Sequence, residues 1–278
     1  MAGPDQEIID RIIDAALEED IGQGDLTSAA TLGEGTRLNL VMATRENIVV
    51  AGLDIAEQIF HRLAPDADID CLVKDGDRVT SGQNMMILEG QARGLLTAER
   101  AALNMVQMLS GIATETRRFV DMIEGTGVIL LDTRKTIPGL RTLSKYATRL
   151  GGATNHRLRL DDGVLIKDNH IAVAGCAAKA VELARQAGLK EIEVECDTLD
   201  QVAEALAAGA DKILLDNMSN GQLRQAVDMT AGRIPLEASG GVNLQTIRGI
   251  AETGVDFISV GRITQSAPAV DIGLDLHA

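Results

Sequence analysis

The sequence has almost no aromatic residues: they make up 1% of the 278 residues, and tryptophan is absent. The 45% apolar content is therefore mainly aliphatic, which is typical of α/β proteins with Val/Ile/Leu strands and Ala/Leu helices. Cysteine is also scarce. Three residues without C-x-x-C spacing argue against a disulfide framework or a cysteine zinc site. We expect Cys71, Cys176 and Cys196 to be reduced core residues.

Positive charge is in short supply as well. The formal net charge of -15 argues against nucleic acid or an anionic membrane as a partner. The sequence opens with no basic segment followed by an apolar one, and no apolar run is long enough to cross a bilayer. These absences predict a soluble, cytoplasmic protein.

The first part of the sequence, to about Gly90, has the pattern of a mixed α/β unit. An amphipathic helix is predicted over residues 5–21, followed by short strands separated by glycine-containing turns. A long helical region follows from Leu95 to Ile123. We expect Gly111 to divide this region into two helices.

The second part alternates apolar runs with alanine-rich amphipathic helices every 21 to 35 residues or so, the pattern of repeated βα units. The predicted strands are Val128–Leu131, Val164–Ile166, Ile192–Val194, Lys212–Leu215, Pro235–Leu236 and Phe257–Val260. The predicted helices are Ala177–Gln186, Leu199–Ala208, Gln222–Thr230 and Leu244–Glu252. Regular units without a G-x-G-x-x-G loop favour an α/β barrel over an open doubly wound sheet.

Chemically active side chains follow these strands, where a βα barrel places its active site. The cationic or potentially cationic groups are Arg134, Lys135, His156, Arg157 and Lys167. Their concentration in an acidic chain predicts a pocket for a highly anionic ligand.

Other strand ends carry carboxylates and glycines. Glu195 and Asp216 close successive strands and could hold Mg²⁺, accept hydrogen bonds from ribose hydroxyls, or act as acid and base. Asp216 could instead be only a helix cap. Ser239-Gly240-Gly241 and Gly261 lie in the last two units, where barrels commonly bind phosphate.

Several motifs together resemble one enzyme family over nearly the whole chain. They are GDLTS at Gly24, LTAER at Leu96, LSGIAT at Leu109, DTRKT at Asp132 with Pro138-Gly139, NHR at Asn155, LIKDNH at Leu165, EVE at Glu193, LDN at Leu215 and SGG at Ser239. On these residues the chain is identified as resembling the quinolinate phosphoribosyltransferases. It departs at Ala153, where many members have a third glycine.

The resemblance implies a two-domain subunit. An N-terminal α/β sandwich would comprise residues 1–110 with the tail 266–278, and an incomplete, seven-stranded TIM-like α/β barrel residues 111–265. It also implies a homodimer, or a multiple of dimers, in which Arg100 acts across the interface. The expected reaction joins quinolinate to phosphoribosyl pyrophosphate with Mg²⁺, giving nicotinate mononucleotide, pyrophosphate and CO₂ in de novo NAD synthesis.

The resemblance also distributes roles among the residues. Lys135, Lys167, Glu195 and Asp216 are the expected catalytic residues, with Glu195 and Asp216 also the expected Mg²⁺ ligands, directly or through substrate or water. The expected substrate-binding residues are Arg100, Thr133, Arg134, Lys135, His156, Arg157, Lys167, Glu195, Asp216, Asn217, Ser239, Gly240, Gly241, Val260 and Gly261.

Three alternatives remain open from the sequence. The same fold could act on another substrate, such as nicotinate, or belong to a homologue associated with molybdenum transport. Lys167 could be the Schiff-base nucleophile of an aldolase. The pocket could also sense phosphorylated metabolites without turning them over.

Overall fold

The computed structural model describes residues 3–277. Its helices are α1 (Gln6–Ile21), α2 (Leu26–Thr31), α3 (Leu53–Leu63), α4 (Ala92–Met122), α5 (Arg141–Leu150), α6 (Asp168–Ala174), α7 (Ala177–Gln186), α8 (Leu199–Ala207), α9 (Asn220–Thr230), α10 (Ile247–Ala251) and α11 (Arg262–Gln265). Its strands are β1 (Arg37–Thr44), β2 (Ile48–Val49), β3 (Asp68–Cys71), β4 (Arg78–Val79), β5 (Asn84–Gln91), β6 (Ile129–Leu131), β7 (Val164–Ile166), β8 (Ile192–Cys196), β9 (Lys212–Asp216), β10 (Leu236–Ser239), β11 (Phe257–Ser259) and β12 (Ile272–Leu276). The predicted α/β class is confirmed.

The described chain divides into two compact units, each with its own hydrophobic core. The first contains residues up to Arg117, the segment Ile137–Gly152 and the chain from Ser266 onward. The second contains Arg118–Thr136 and Ala153–Gln265. Sequence reasoning placed the division near residue 110, whereas here the chain passes between units inside α4.

The first unit is built on a four-stranded antiparallel sheet in the order β12-β1-β5-β3. From Leu40 onward, strand β1 alternates buried and half-buried residues, so Leu40 and Met42 enter the core. Helix α1 buries Ile9, Ile13 and Leu17 at helical spacing. The C-terminal strand β12 belongs to this sheet through its pairing with β1.

The prediction that Gly111 divides this region into two helices is wrong, because α4 runs without interruption through Gly111. A Cβ atom at Gly111 would lie 2.1 Å from the carbonyl oxygen of Pro268. Glycine is therefore required here for a close backbone approach, and it does not end the helix. The low helix propensity of glycine does not show whether a given glycine ends a helix or allows another backbone segment to approach closely.

The second unit contains a six-stranded, wholly parallel sheet in the order β6-β11-β10-β9-β8-β7. An isolated bridge joins Leu131 of β6 to Thr154, which runs parallel beside that strand. Amphipathic helices follow most of the strands, and α8 and α9 begin with capping boxes, at Thr198 with Gln201 and at Ser219 with Gln222. Closure into an incomplete seven-stranded barrel stays a prediction.

Within this sheet the register brings the strand ends to one edge. Ser239 of β10 aligns with Asp216 of β9, and Glu195 of β8 aligns with Leu214 of β9. Because side chains alternate along a strand, residues two positions apart lie on the same face. Glu193 and Glu195, and likewise Glu237 and Ser239, therefore share a face.

Two simpler expectations concern membranes and cysteines. Among residues 3–277, no helix combines the length and apolar character needed for a bilayer span. Cys196 is buried in the core of the second unit, as predicted, whereas Cys71 and Cys176 are only half-buried; all three are free thiols. Burial, followed by the charge of nearby carboxylates, raises the pKa of Cys71 to about 12.

We predict that Gly111→Ala lowers the free energy of unfolding by about 1–3 kcal/mol, because the new methyl group overlaps the Pro268 carbonyl. Gly221→Ala in α9 is the matched control, since its nearest neighbouring atom is 3.9 Å away. The control should be neutral or slightly stabilising through helix propensity. Urea-induced unfolding measures both variants, and equal effects would contradict the close-approach explanation.

Candidate functional site

A cavity of about 380 Å³ opens at the carboxyl ends of the parallel strands. It lies wholly within the second unit. Its lining residues are Thr133, Arg134, Lys135, His156, Arg157, Leu165, Lys167, Glu195, Leu214, Asp216, Glu237, Ser239 and Ser259. Four of them are Arg or Lys, so the local inversion of charge predicted from the sequence forms one concave site. We call this cavity the mouth pocket.

The cations of the mouth pocket are close enough to affect one another. Burial, followed by the positive charge of Arg134, lowers the pKa of Arg157. Lys167 Nζ donates to Glu195 Oε2 at 2.6 Å. A pocket that holds two half-buried guanidinium groups close together is electrostatically ready for an anion, and guanidinium groups suit carboxylates.

The loop that carries Asn155, His156 and Arg157 is held from below by Asp132, the first residue after β6. The fully buried Asp132 carboxylate accepts hydrogen bonds from Asn155 Nδ2 at 2.6 Å and from the His156 backbone N–H at 2.9 Å. Arg157 Nη1 donates to the Gly163 carbonyl at 3.0 Å. The DTRKT and NHR motifs are therefore directly bonded to each other.

Two carboxylates, those of Glu195 and Asp216, also line the mouth pocket. Glu195 is bound to Lys167, while Asp216 accepts from Asn217 Nδ2. Burial and the charge of Asp197 raise the pKa of Asp216, although Lys167 and Lys135 act against this shift. Each carboxylate keeps a second oxygen, which suits an Mg²⁺ ion held mainly by substrate oxygens better than an all-protein cage.

The strand ends of β10 and β11 bring together small and glycine residues. Ser239 Oγ and Ser259 Oγ are 3.0 Å apart. Gly240 and Gly241 have φ values of 91° and 63°, and a Cβ at Gly240 would lie 2.2 Å from Asn217 Oδ1. A Cβ at Gly261 would lie 3.0 Å from the Lys135 side chain. At both glycines the backbone therefore lies close to a neighbouring polar side chain, Asn217 or Lys135, which a larger residue would displace.

A buried ion network lies beneath the mouth pocket. Lys212 Nζ lies 3.0 Å from Glu193 Oε1 and also binds Glu237 Oε2. His156 Nε2 lies 3.2 Å from Glu193 Oε2 and 3.6 Å from Glu237 Oε2. The Glu237 side chain has no exposed surface, and that of Glu193 is 8% exposed. We refer to Glu193, Lys212, Glu237 and His156 as the floor network.

The two glutamates of the floor network differ in their acidity. Burial, together with the charge of Glu193, raises the pKa of Glu237. Burial also acts to raise the pKa of Glu193, but a hydrogen bond from His156, followed by the positive charge of Lys212, outweighs it, so this pKa is lowered. These are the same residues that could ligate a metal ion by their spacing, but the Lys212 ammonium already supplies their cation.

Sequence reasoning missed Lys212, Glu237 and the role of Glu193 in the floor network. The signal that could have found them is a charge inside an otherwise buried strand, because such charges must be paired. Glu237 stands two residues before Ser239, in the same way that Glu193 stands two before Glu195. His170 is explained locally: its Nδ1 accepts the Lys167 backbone N–H at 2.9 Å, at the start of α6.

The predicted site residues are not all equally placed. Those that line the mouth pocket are Thr133, Arg134, Lys135, His156, Arg157, Lys167, Glu195, Asp216 and Ser239. Four other predicted site residues are close in sequence to these lining residues but do not line the pocket themselves: Asn217, Gly240, Gly241 and Gly261. Val260 has a buried side chain, and its N–H donates to the Leu131 carbonyl at 3.0 Å. Arg100 lies exposed on α4 in the first unit.

A second cavity, of about 720 Å³, lies toward the amino ends of the strands and shares His156 and Arg157 with the mouth pocket. It is lined by the residues that precede β7 and β8, among them Asp161, Asp162 and Glu191. This second cavity is the larger of the two. However, α/β barrels have their active sites at the carboxyl ends of the strands, where the mouth pocket and its cations and carboxylates lie. We therefore take the mouth pocket as the functional site.

Comparison with known proteins identifies the class and then the family. The parallel sheet with a cation-rich pocket at its carboxyl ends is that of an α/β enzyme acting on anionic substrates. The family model "Quinolinate phosphoribosyl transferase, N-terminal domain" matches residues 25–110, and "Quinolinate phosphoribosyl transferase, C-terminal domain" matches residues 112–275. The chain belongs to the quinolinate phosphoribosyltransferase family, which confirms the resemblance of its motifs.

Individual relatives agree over nearly the full length. The chain is 45% identical over 268 residues to nicotinate-nucleotide pyrophosphorylase (carboxylating) of Mycobacterium leprae, covering 94% of each chain. It is 44% identical over 260 residues to the probable enzyme of that name in Bacillus subtilis, covering 93% of this chain and 90% of the relative. The solved structure of the Francisella tularensis nicotinate-nucleotide pyrophosphorylase matches with a TM-score of 0.93 and 42% identity, covering 98% and 97% of the two chains.

We predict that Asp132→Asn lowers the free energy of unfolding by about 1–3 kcal/mol and also lowers the catalytic activity. The amide keeps the volume of the carboxylate but opposes one of the two N–H donors with a donor of its own. Asp162→Asn is the control, because Asp162 also accepts two backbone N–H groups but is exposed. Urea unfolding should show a much smaller effect for the control. Similar effects would mean that burial of the Asp132 carboxylate is not what matters.

Proposed function

We propose that this chain transfers the phosphoribosyl group of phosphoribosyl pyrophosphate to quinolinate with decarboxylation, giving nicotinate mononucleotide, pyrophosphate and CO₂ for NAD synthesis. The observation that carries the proposal is the mouth pocket. It gathers Arg134, Lys135, Arg157 and Lys167 in a chain of net charge -15. Family membership and full-length relatives named for this reaction support it.

Quinolinate is a planar dianion, and we assign its two carboxylates to Arg134, Arg157 and Lys167. Arg134 and Arg157 can each bind a carboxylate bidentately, which fixes the plane of the ring as well as its charge. His156 stands beside Arg157 in the pocket wall. Burial, followed by repulsion from Arg134, lowers the pKa of Arg157, and an anion bound between the guanidinium groups would relieve the repulsion.

Phosphoribosyl pyrophosphate occupies the other side of the pocket in this proposal. Lys135 and Thr133 face its pyrophosphate, and Glu195, Asp216 and Asn217 face its ribose hydroxyls. The 5′-phosphate rests at the small-residue edge, on Ser239, Gly240, Gly241 and Gly261. Glu195 and Asp216 would hold Mg²⁺, which would supply positive charge to the leaving pyrophosphate when bound.

The transfer step needs alignment more than acid–base chemistry. The quinolinate ring nitrogen forms a bond to the anomeric carbon as the bond from that carbon to pyrophosphate breaks. Holding both substrates in one pocket supplies much of the rate. The carboxylates of Glu195 and Asp216, placed near the ribose, stabilise the positive charge that develops on the sugar.

Decarboxylation follows from the product of transfer. Once alkylated, the ring nitrogen is cationic, so the adjacent C2 carbon can accept the electron pair when its bond to the carboxylate breaks. CO₂ leaves, and C2 then takes up a proton. The substrate therefore carries its own electron sink, and the chain's residues need only bind and orient it.

One alternative loses support from the geometry. A Schiff-base lysine attacks a carbonyl through a free amine, whereas Lys167 Nζ is held by the Glu195 carboxylate at 2.6 Å. The same-fold alternative, with nicotinate as the acceptor, leaves one carboxylate-binding cation without a partner. Crowding of cations in the mouth pocket therefore favours the dicarboxylate.

The proposal extends to the assembly and the compartment. We propose a homodimer, or a multiple of dimers, in which Arg100 of one chain reaches the quinolinate site of its partner. Its exposure on α4 is compatible with that role. A cytoplasmic location, predicted from the sequence, is part of the same proposal.

The wild-type protein should release pyrophosphate from phosphoribosyl pyrophosphate only when quinolinate and Mg²⁺ are both present. We expect kcat/KM for quinolinate to exceed that for nicotinate by about 100-fold or more, since a site built for a substrate's polar group rejects an analogue that lacks it. A coupled pyrophosphate assay measures both. Equal or better use of nicotinate would support the same-fold alternative, and binding without release would support the sensor.

Mixing two damaged variants tests Arg134 and Arg100 together. Arg134→Ala and Arg100→Ala should each lower kcat/KM for quinolinate at least about 30-fold, because each leaves a substrate charge without its partner. If Arg100 acts across the interface, re-associated mixtures regain roughly a quarter of wild-type activity, from the one intact site in each mixed dimer. A mixture no better than its parents would place Arg100 outside the partner's site.

A further inference from the structure

The floor network contains buried charges, those of Glu193, Lys212 and Glu237, to which the proposed reaction assigns no role. Its three charged members come from neighbouring strands: Glu193 from β8, Lys212 from β9 and Glu237 from β10. The interior of a parallel barrel is ordinarily filled by branched aliphatic side chains. Charges in this position are costly unless they are paired, so their presence calls for an explanation beyond packing.

Two members of the floor network, His156 and Glu237, line the mouth pocket, and His156 also connects the network to Arg157. The backbone N–H of Arg157 donates to His156 Nδ1 at 2.8 Å, so this nitrogen carries no proton. The ring proton is therefore on Nε2, which faces Glu193 and Glu237. His156 is thus neutral and bonded at both ring nitrogens, one to the floor network and one to the backbone of Arg157.

The charge balance beneath the ring determines whether this arrangement can persist. Glu193 and Glu237 present their carboxylates to the His156 ring, and the Lys212 ammonium binds both of them. Lys212 also lies over the Phe257 ring, 4.6 Å from its centroid, which holds the ammonium inside the cluster. Without that ammonium, two buried carboxylates would face His156 alone and favour a second proton on its ring.

A second proton on His156 would have to be on Nδ1. There it would oppose the Arg157 N–H, and the hydrogen bond that holds the Arg157 backbone would be lost. The hydrogen bond from Arg157 Nη1 to the Gly163 carbonyl would remain. Loss of the backbone hydrogen bond alone would change how the guanidinium group is aimed without unfolding the loop.

Building on the proposed function, we propose that Lys212 is a positioning residue for quinolinate: by balancing Glu193 and Glu237 it keeps His156 neutral, so that His156 can hold Arg157 in place. Lys212 does not touch the substrate in this proposal. Its effect is therefore confined to the quinolinate side of the pocket, and the phosphoribosyl side should not depend on it.

The first test is the Lys212→Met variant, with Lys179→Met as a control in which an exposed lysine loses its Glu182 partner. In Lys212→Met, we expect KM for quinolinate to rise about tenfold or more, while KM for phosphoribosyl pyrophosphate stays within about twofold. The double variant Lys212→Met/Glu237→Gln restores the formal charge of the network. It should recover most of the quinolinate affinity. Parallel increases in both KM values, equal losses in the single and double variants, or no change would each overturn the proposal.

The second test reads the His156 ring directly and needs no turnover. The chain has four histidines, and His156→Gln identifies the signals of His156 in nitrogen-15-histidine-labelled protein. The wild type and the double variant should show a bare Nδ1 and a protonated Nε2, whereas Lys212→Met should show both nitrogens protonated. An unchanged ring in Lys212→Met contradicts the inference. Wild-type protein that does not use quinolinate contradicts the proposed function instead, and the ring signals still decide the role of Lys212.

Discussion

The parallel register of the strands in the second unit is the constraint on which the functional site depends. It brings the carboxyl ends of β6 to β11 to one edge, where Lys167, Glu195, Asp216 and Ser239 meet although about 70 residues of chain separate the first from the last. Strand alternation then places Glu193 and Glu237 below that edge on the same face. Recognition at the mouth and charge balance at the floor therefore follow from one geometric arrangement.

Much of the second unit could be predicted because its elements repeat a strong local pattern. Helix α7 has the predicted bounds Ala177–Gln186, and strands β7 and β9 lie where their apolar runs indicated. The mouth pocket was predicted for the same reason: a charged side chain directly after an aliphatic run has few structural explanations. Nine of the predicted site residues line one cavity, but whether they bind the substrates as assigned remains a proposal.

The remainder depends on contacts between residues distant in sequence. Gly111 was expected to break a helix because its propensity is visible in the sequence, whereas its contact with Pro268 is not. The sequence pattern did not predict the short helix α6. Its first turn is stabilised by a hydrogen bond from the Lys167 backbone N–H to the side chain of His170, which is not a usual capping residue. Lys212 begins a predicted strand and would ordinarily be taken for a solvated end. Only pairing with two glutamates from neighbouring strands reveals it as part of a buried network.

The fate of the 2-carboxyl group of quinolinate tests the central claim most directly. Quinolinate labelled at that carboxyl would be incubated with the protein, phosphoribosyl pyrophosphate and Mg²⁺, and the released CO₂ collected alongside nicotinate mononucleotide. The account predicts one labelled CO₂ for each nucleotide formed, and none when either co-substrate is omitted. Release of label without the phosphoribosyl donor, or nucleotide formed from nicotinate while quinolinate is untouched, would contradict it.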